Sequence, residues 1–177
     1  MGYGGSSEKS SLALITLIRN VLLLLCFVGQ AWASHPPVPV ETTKDVIGCW
    51  ERIDFSEEAQ KKINEIEPWP IRYQWYCFEP DGAFNTHGST RNSNHTSKSL
   101  REIFARMPRE ITYTLLQKGV IRTDHTSVKQ TLIWGASFTG DTVAFDGKII
   151  EKGTLIMALY DQEKKRNVYY RYLRKLQ

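Results

Sequence analysis

A chain of 177 residues that is 41% hydrophobic and 24% charged has the composition of folded protein and room for one buried core, which excludes a disordered polypeptide. Its formal charge of +4 is small and scattered, more basic at the ends than in the middle, and argues against a nucleic-acid-binding face.

Residues 1–33 read as an export leader. Lys9 and Arg19 supply positive charge, Val21 to Val28 is an apolar run of signal-peptide length, and Ala31-Trp32-Ala33 is a small-x-small cleavage sequence. A membrane anchor is the competing reading, because apolar residues begin at Leu12, but Arg19 interrupts a run that needs about 20 residues to span. Cleavage near Ala33 would place the protein in the periplasm or outside the cell. Loss of Glu8, Lys9 and Arg19 with the leader lowers the charge to +3. Cys26 also leaves. Cys49 and Cys77 then remain, either as two buried thiols or as a disulfide closing a loop of about 28 residues, worth on the order of 3 kcal/mol; an oxidising compartment favours the bond.

Residues 34–44 contain Pro36, Pro37 and Pro39 and read as an extended, mobile tether, with one domain over 45–177. A first strand is expected from Val46 to Ile53. Ser56 caps a short helix whose first turn holds Glu57 and Glu58, and Pro68 and Pro70 close that stretch. Ile71 to Glu79 alternates as a second strand, with Ile71, Tyr73, Trp75 and Cys77 on one face. Asp81-Gly82 supplies a turn into a third strand, Ala83 to His87. Gly88 to Ser97 has no apolar residue and reads as a solvated loop. Leu100, Ile103, Phe104 and Met107 recur at helical spacing over Ser97 to Met107, before Pro108.

From Glu110 the pattern is β again. Strands are expected around Ile111 to Leu115, Val120 to Thr123 and Val128 to Phe138. Val143 to Phe145 and Lys148 to Ile150 flank Asp146-Gly147, the strongest two-residue hairpin signal in the chain. Thr154 to Tyr160 is nearly all apolar, and Asn167 to Arg174 closes the sequence. The expectation is a mainly β fold, an antiparallel up-and-down barrel of about 8–10 strands with two short helices, since closure removes exposed sheet edges.

Gly48-Cys49-Trp50, the hairpin Phe78-Glu79-Pro80-Asp81-Gly82-Ala83-Phe84 and the late Tyr172-Leu173-Arg174 resemble the calycin group, the lipocalins and fatty-acid-binding proteins with their short bacterial lipocalin-like relatives. The resemblance implies that Gly48 and Trp50 close one barrel end. It also implies that a basic residue late in the chain, Arg174 or Arg171, packs across the Trp50 ring as a cation–π contact of about 1 kcal/mol.

Catalytic and metal-binding signatures are absent from the sequence. His87, His95 and His125 are 8 and 30 residues apart on no common helix face, and there is no nucleophile elbow or phosphate loop. The expectation is therefore a protein that is not an enzyme and takes no cofactor or metal. Tyr73, Trp75, Tyr113, Trp134, Phe138 and Tyr170 are expected to point inward, as core or as the lining of a ligand pocket. The expected function is binding of a small apolar or amphipathic ligand. The alternative is a ligand-free barrel that holds an envelope protein or inhibits a hydrolase through the Gly88 to Ser97 loop and the basic terminal strand. Arg171, Arg174 and Lys175 read as solvated surface, open to peripheral membrane contact.

Overall fold

The computed structural model describes residues 35–177, so the expected leader lies outside the described residues. The chain forms, in order, β1 (Val38–Pro39), α1 (Thr43–Val46), β2 (Gly48–Arg52), α2 (Glu57–Ile63), β3 (Tyr73–Phe78), β4 (Phe84–Ser89), α3 (Ser97–Phe104), β5 (Ile111–Gln117), β6 (Val120–His125), β7 (Gln130–Phe138), β8 (Val143–Phe145), β9 (Lys148–Ile150), β10 (Leu155–Asp161) and β11 (Arg166–Lys175). All the sheet pairings are antiparallel, and the main sheet runs β4-β3-β2-β11-β10-β7-β6-β5. The last strand thus pairs with β2, and the sheet curls into a half-barrel.

Its two end strands, β4 and β5, approach at one point. Ala83 bridges Thr112, and the Tyr113 N–H donates to the Gly82 carbonyl at 2.8 Å. Gly82 permits this turn because its φ of +84° suits glycine.

Period-two alternation sorts the side chains. The inner face collects Trp50, Tyr76, Phe78, Phe84, Tyr113, Ile121, Trp134, Met157, Tyr169 and Leu173 into one buried cluster. On the opposite face α3 lays Leu100 and Phe104 over Trp75 and the Cys49–Cys77 disulfide. The helix α2 and the β8–β9 hairpin form a third cluster of Phe55, Ala59 and Ile150. The hairpin turns at Asp146 (φ 52°) and Gly147 (φ 67°), as its Asp-Gly sequence requires.

The stretch expected as a mobile tether is instead packed from His35 onward. Strand β6 stops opposite Gly135, leaving the end of β7 free, and β1 takes that place by pairing Val38 with Phe138 and Pro39 with Ser137. The Val40 N–H donates to the Ala136 carbonyl (3.1 Å), the Gly119 N–H to the Val40 carbonyl (2.8 Å), and the Val40 and Val46 side chains are fully buried. Prolines are tolerated because this short segment lies at a sheet edge. α1 is a third helix, one turn long, and α3 ends three residues earlier than expected.

Candidate functional site

Three inner strands and one loop build a cage. β11 places Tyr169 and Arg171 inward, β3 contributes Gln74 and Tyr76, β7 contributes Trp134, and the irregular segment between α2 and β3 contributes Trp69. The Arg171 guanidinium lies 4.1 Å from the Trp69 ring centre, 4.7 Å from Tyr76, 4.7 Å from Trp134 and 5.4 Å from Tyr169, within the range of cation–π attraction. Arg171 is only 4% exposed. Its Nε has no hydrogen-bond partner, and among the described residues no carboxylate lies within 4.0 Å of it.

The other buried inner arginine differs. Arg52 on β2 donates to Gln60 Oε1 at 2.6 Å and pairs with Glu67 at 3.4 Å. Arg171 therefore carries the uncompensated charge of this interior.

Arg171 lines a cavity of about 110 Å³ together with Trp69, Gln74, Tyr76, Thr123, His125 and Trp134. A water molecule occupies about 30 Å³ in the liquid, so the space suits a few waters or one small polar group. The polar atoms on its wall are mutually fixed: the Tyr76 hydroxyl donates to Gln74 Oε1, and the Trp134 indole N–H to Thr123 Oγ1 at 3.1 Å. Burial pushes the Tyr76 hydroxyl up to about 12, against the opposing pull of Arg171. Burial, and then the charge of Arg171, hold His125 below the usual imidazole range.

Of the six aromatics expected inward, Tyr113, Trp134 and Phe138 are inward. Tyr113 donates its hydroxyl to the Glu79 carbonyl at 3.0 Å, and Phe138 packs 6.3 Å from Trp50. Tyr73 and Trp75 lie on the opposite face, where α3 covers them, and Tyr170 is on the outer side of β11, its N–H bonded to Asn64 Oδ1 at 2.7 Å. Trp134 is the member of the six that lines the cavity.

Arg171 is not solvated surface, and neither it nor Arg174 crosses Trp50. Lys175 does, at 5.2 Å, while Arg174 pairs outside with Glu51 at 2.5 Å. Gly48 explains the substitution. With φ +130° and an added Cβ only 3.1 Å from Lys175 Cε, it leaves the lane along which Lys175 reaches the ring. Trp50 itself is anchored by its indole N–H to the Val46 carbonyl at 2.8 Å.

Cys49 and Cys77 stand directly opposite on β2 and β3 and are bonded. With Glu79 they also form a group of potential metal ligands, but the disulfide consumes both sulfurs. The structure brings His87 and His95 together, ring centres 5.7 Å apart, against Trp75 on the outer face. His125 lies on the cavity wall, whose rim His87 also borders.

The residues missed by sequence reasoning are Trp69, Gln74, Tyr76, Tyr169 and Arg171. Arg171 did carry a signal: in Val168-Tyr169-Tyr170-Arg171-Tyr172-Leu173 it shares strand parity with Tyr169 and Leu173, both buried.

Fold and site together define a curled antiparallel β protein with an aromatic cage around one buried arginine. No protein-family model, curated protein or solved structure matches the chain.

Proposed function

We propose that the protein is an exported, non-enzymatic carrier of the calycin kind that binds a small amphipathic molecule through an anionic end seated on Arg171. The observation that carries this reading is a guanidinium buried without a counter-ion on the wall of a cavity. Burying an ion costs several kcal/mol unless a partner offsets it, and a carboxylate accepts two parallel N–H bonds from an arginine fork. The aromatic wall then supplies contact for the apolar remainder.

The test is a titration of small carboxylates, hexanoate and benzoate, against the matching alcohols and amides, followed by calorimetry. Saturable binding of the acids, weak or absent binding of the neutral analogues, and loss of binding in Arg171→Gln are expected. Equal behaviour of acids and alcohols would refute the role of Arg171.

A second reading, capture of another protein, draws on one feature: β4 and β5 are sheet ends that meet at the single Ala83–Thr112 bridge, and unpaired edges accept added strands. Deleting residues 90–95 next to β4 should then weaken partner capture while leaving the melting temperature nearly unchanged.

A further inference from the structure

The segment from Asn64 to Arg72 runs from α2 to β3 without regular structure, and its ends are tied down. The Glu65 and Ile66 N–H groups donate to the Val168 carbonyl (2.9 and 3.3 Å), Glu65 pairs with Lys164 (2.5 Å) and Arg166 (2.9 Å), and Arg72 pairs with Asp54 (2.9 Å). Between them stands Pro68-Trp69-Pro70. Prolines contribute no N–H, and the backbone of this tripeptide is held by one bond, from Gln74 Nε2 to the Trp69 carbonyl at 3.1 Å.

The Trp69 ring is half-buried. It stacks on Trp134 with centres 5.7 Å apart and planes 25° apart, leans on Tyr169 at 5.6 Å, and covers the Arg171 guanidinium at 4.1 Å. It also divides two spaces. The half-open cavity of about 110 Å³ and a neighbouring groove of about 600 Å³, walled by Arg52, Phe55, Gln60, Asn64 and Glu67, have Trp69 and Ile71 as their shared lining.

We infer that Trp69 is a displaceable plug and the size-selecting residue of the site, its indole holding the place of a flat aromatic group, so that the ligand class is an aryl carboxylate of one or two fused rings. This rests on the reading of the Arg171 cavity as a ligand site and narrows it.

The chemistry follows from what the indole touches. It is sandwiched against a tryptophan face and a guanidinium, both of which prefer flat π systems over saturated chains. The cavity beneath it is too small for a whole amphipathic molecule, since ligand sites usually span roughly 300–1,000 Å³. Outward rotation of Trp69 adds an indole-sized space to the cavity and joins it to the neighbouring groove. A carboxylate can then reach Arg171 while its ring replaces the indole on Trp134.

The experiment is chemical rescue. Wild type, Trp69→Ala and Trp69→Phe are titrated with indole-3-acetate, benzoate and octanoate, with Arg171→Gln as the head-group control. Trp69→Ala should bind indole-3-acetate about tenfold or more tighter than wild type, because the ligand no longer displaces a stacked ring, and should gain little for octanoate. Trp69→Phe should give a smaller gain in the same order, and it decides the matter if Trp69→Ala fails to fold. In wild type, saturation with benzoate, which carries no indole to take the place of Trp69, should abolish the Trp69–Trp134 couplet in the circular dichroism spectrum.

An equal gain for octanoate and indole-3-acetate, or an unchanged couplet on saturation with benzoate, would overturn the plug while leaving Arg171-dependent binding in place. Absence of acid binding by all three proteins would overturn the plug and the carrier reading together.

Discussion

Replacing Arg171 with methionine tests whether the buried charge serves ligand binding or holds the fold. Methionine fills similar space and keeps contact with the rings, so the comparison isolates the charge. Four rings lie within 5.4 Å of the guanidinium; a desolvated contact is worth about 2 kcal/mol, and because the rings share one cation their joint attraction is taken as that of one or two such contacts, roughly 2–4 kcal/mol. Against this stands an effective burial penalty of several kcal/mol for an ion without a partner. Repulsion from Arg52 adds little, because Glu67 pairs with that guanidinium at 3.4 Å. The unfavourable terms exceed the favourable ones. Arg171→Met is expected to raise stability by about 1–2 kcal/mol, or about 3–7 °C in melting temperature for a domain of roughly 140 residues, while acid binding disappears. Urea unfolding followed by circular dichroism, beside calorimetry with benzoate, reads both quantities. Destabilisation by more than about 1 kcal/mol would show that the cage is a structural keystone.

Three further outcomes follow from the fold. The double variant Cys49→Ala/Cys77→Ala opens a loop with sequence separation 28 and should lose about 3.5 kcal/mol, near 10 °C in melting temperature; a loss under about 1 kcal/mol would mean that β2–β3 pairing alone confines the unfolded chain. Gly48→Ala should cost about 1–3 kcal/mol in urea unfolding, and adding Lys175→Ala should recover only part of it, since the clash with Lys175 is removed but the φ of +130° remains. Acid should weaken the fold in two separate windows. Burial depresses His87, with His95 as the second cause, and burial followed by Arg171 depresses His125, so the unfolded chain takes up protons that the folded one resists. That contribution is complete above pH 6.5 and is lost as pH falls below it. Backbone hydrogen bonds depress Asp81 and Asp146, whose contributions disappear only as pH falls below 3.8. Urea midpoints on either side of pH 6.5 should converge in a His87→Gln/His125→Gln variant.

The succession of elements along the chain was legible because it is carried by local signals, whereas their order in the sheet is not: Asp146-Gly147 turns the β8–β9 hairpin, and Ser56 caps α2 by accepting the Ala59 N–H at 3.2 Å. Which face of β3 points inward required a non-local constraint. Trp50 inward puts Cys49 outward, and the Cys49–Cys77 pairing puts Cys77 on that same outer face. By strand alternation Trp75 and Tyr73 must then follow, leaving Gln74 and Tyr76 inside. The bond and the position of Trp50 were both readable, and together they exclude an inward Trp75. Val40 was hidden for a different reason: three nearby prolines suggest a solvated spacer, and only the early end of β6 leaves β7 free to pair with β1. Trp69 gave no periodic signal, since it sits between prolines in a loop.

The cage divides into fixed and movable parts. Arg171 and Tyr169 are on β11, where β10 pairs with them directly; β2 joins the other side only from Leu173 onward, and at Val168 and Tyr170 that side is held by Glu65 and Asn64. Tyr76 and Trp134 belong to β3 and β7, each flanked by neighbours in the same sheet. These three rings and the guanidinium are therefore held by ladders whose displacement would break rows of backbone hydrogen bonds. Trp69 depends on contacts of its own ring and one bond to its carbonyl, between two prolines. Rigid strands preserve a site's geometry while loops supply its motion. On the proposed reading of Arg171 as a ligand site, exchange there occurs by displacement of the one ring that no strand carries, and a ligand would bind in proportion to how completely it reproduces what that ring gives up.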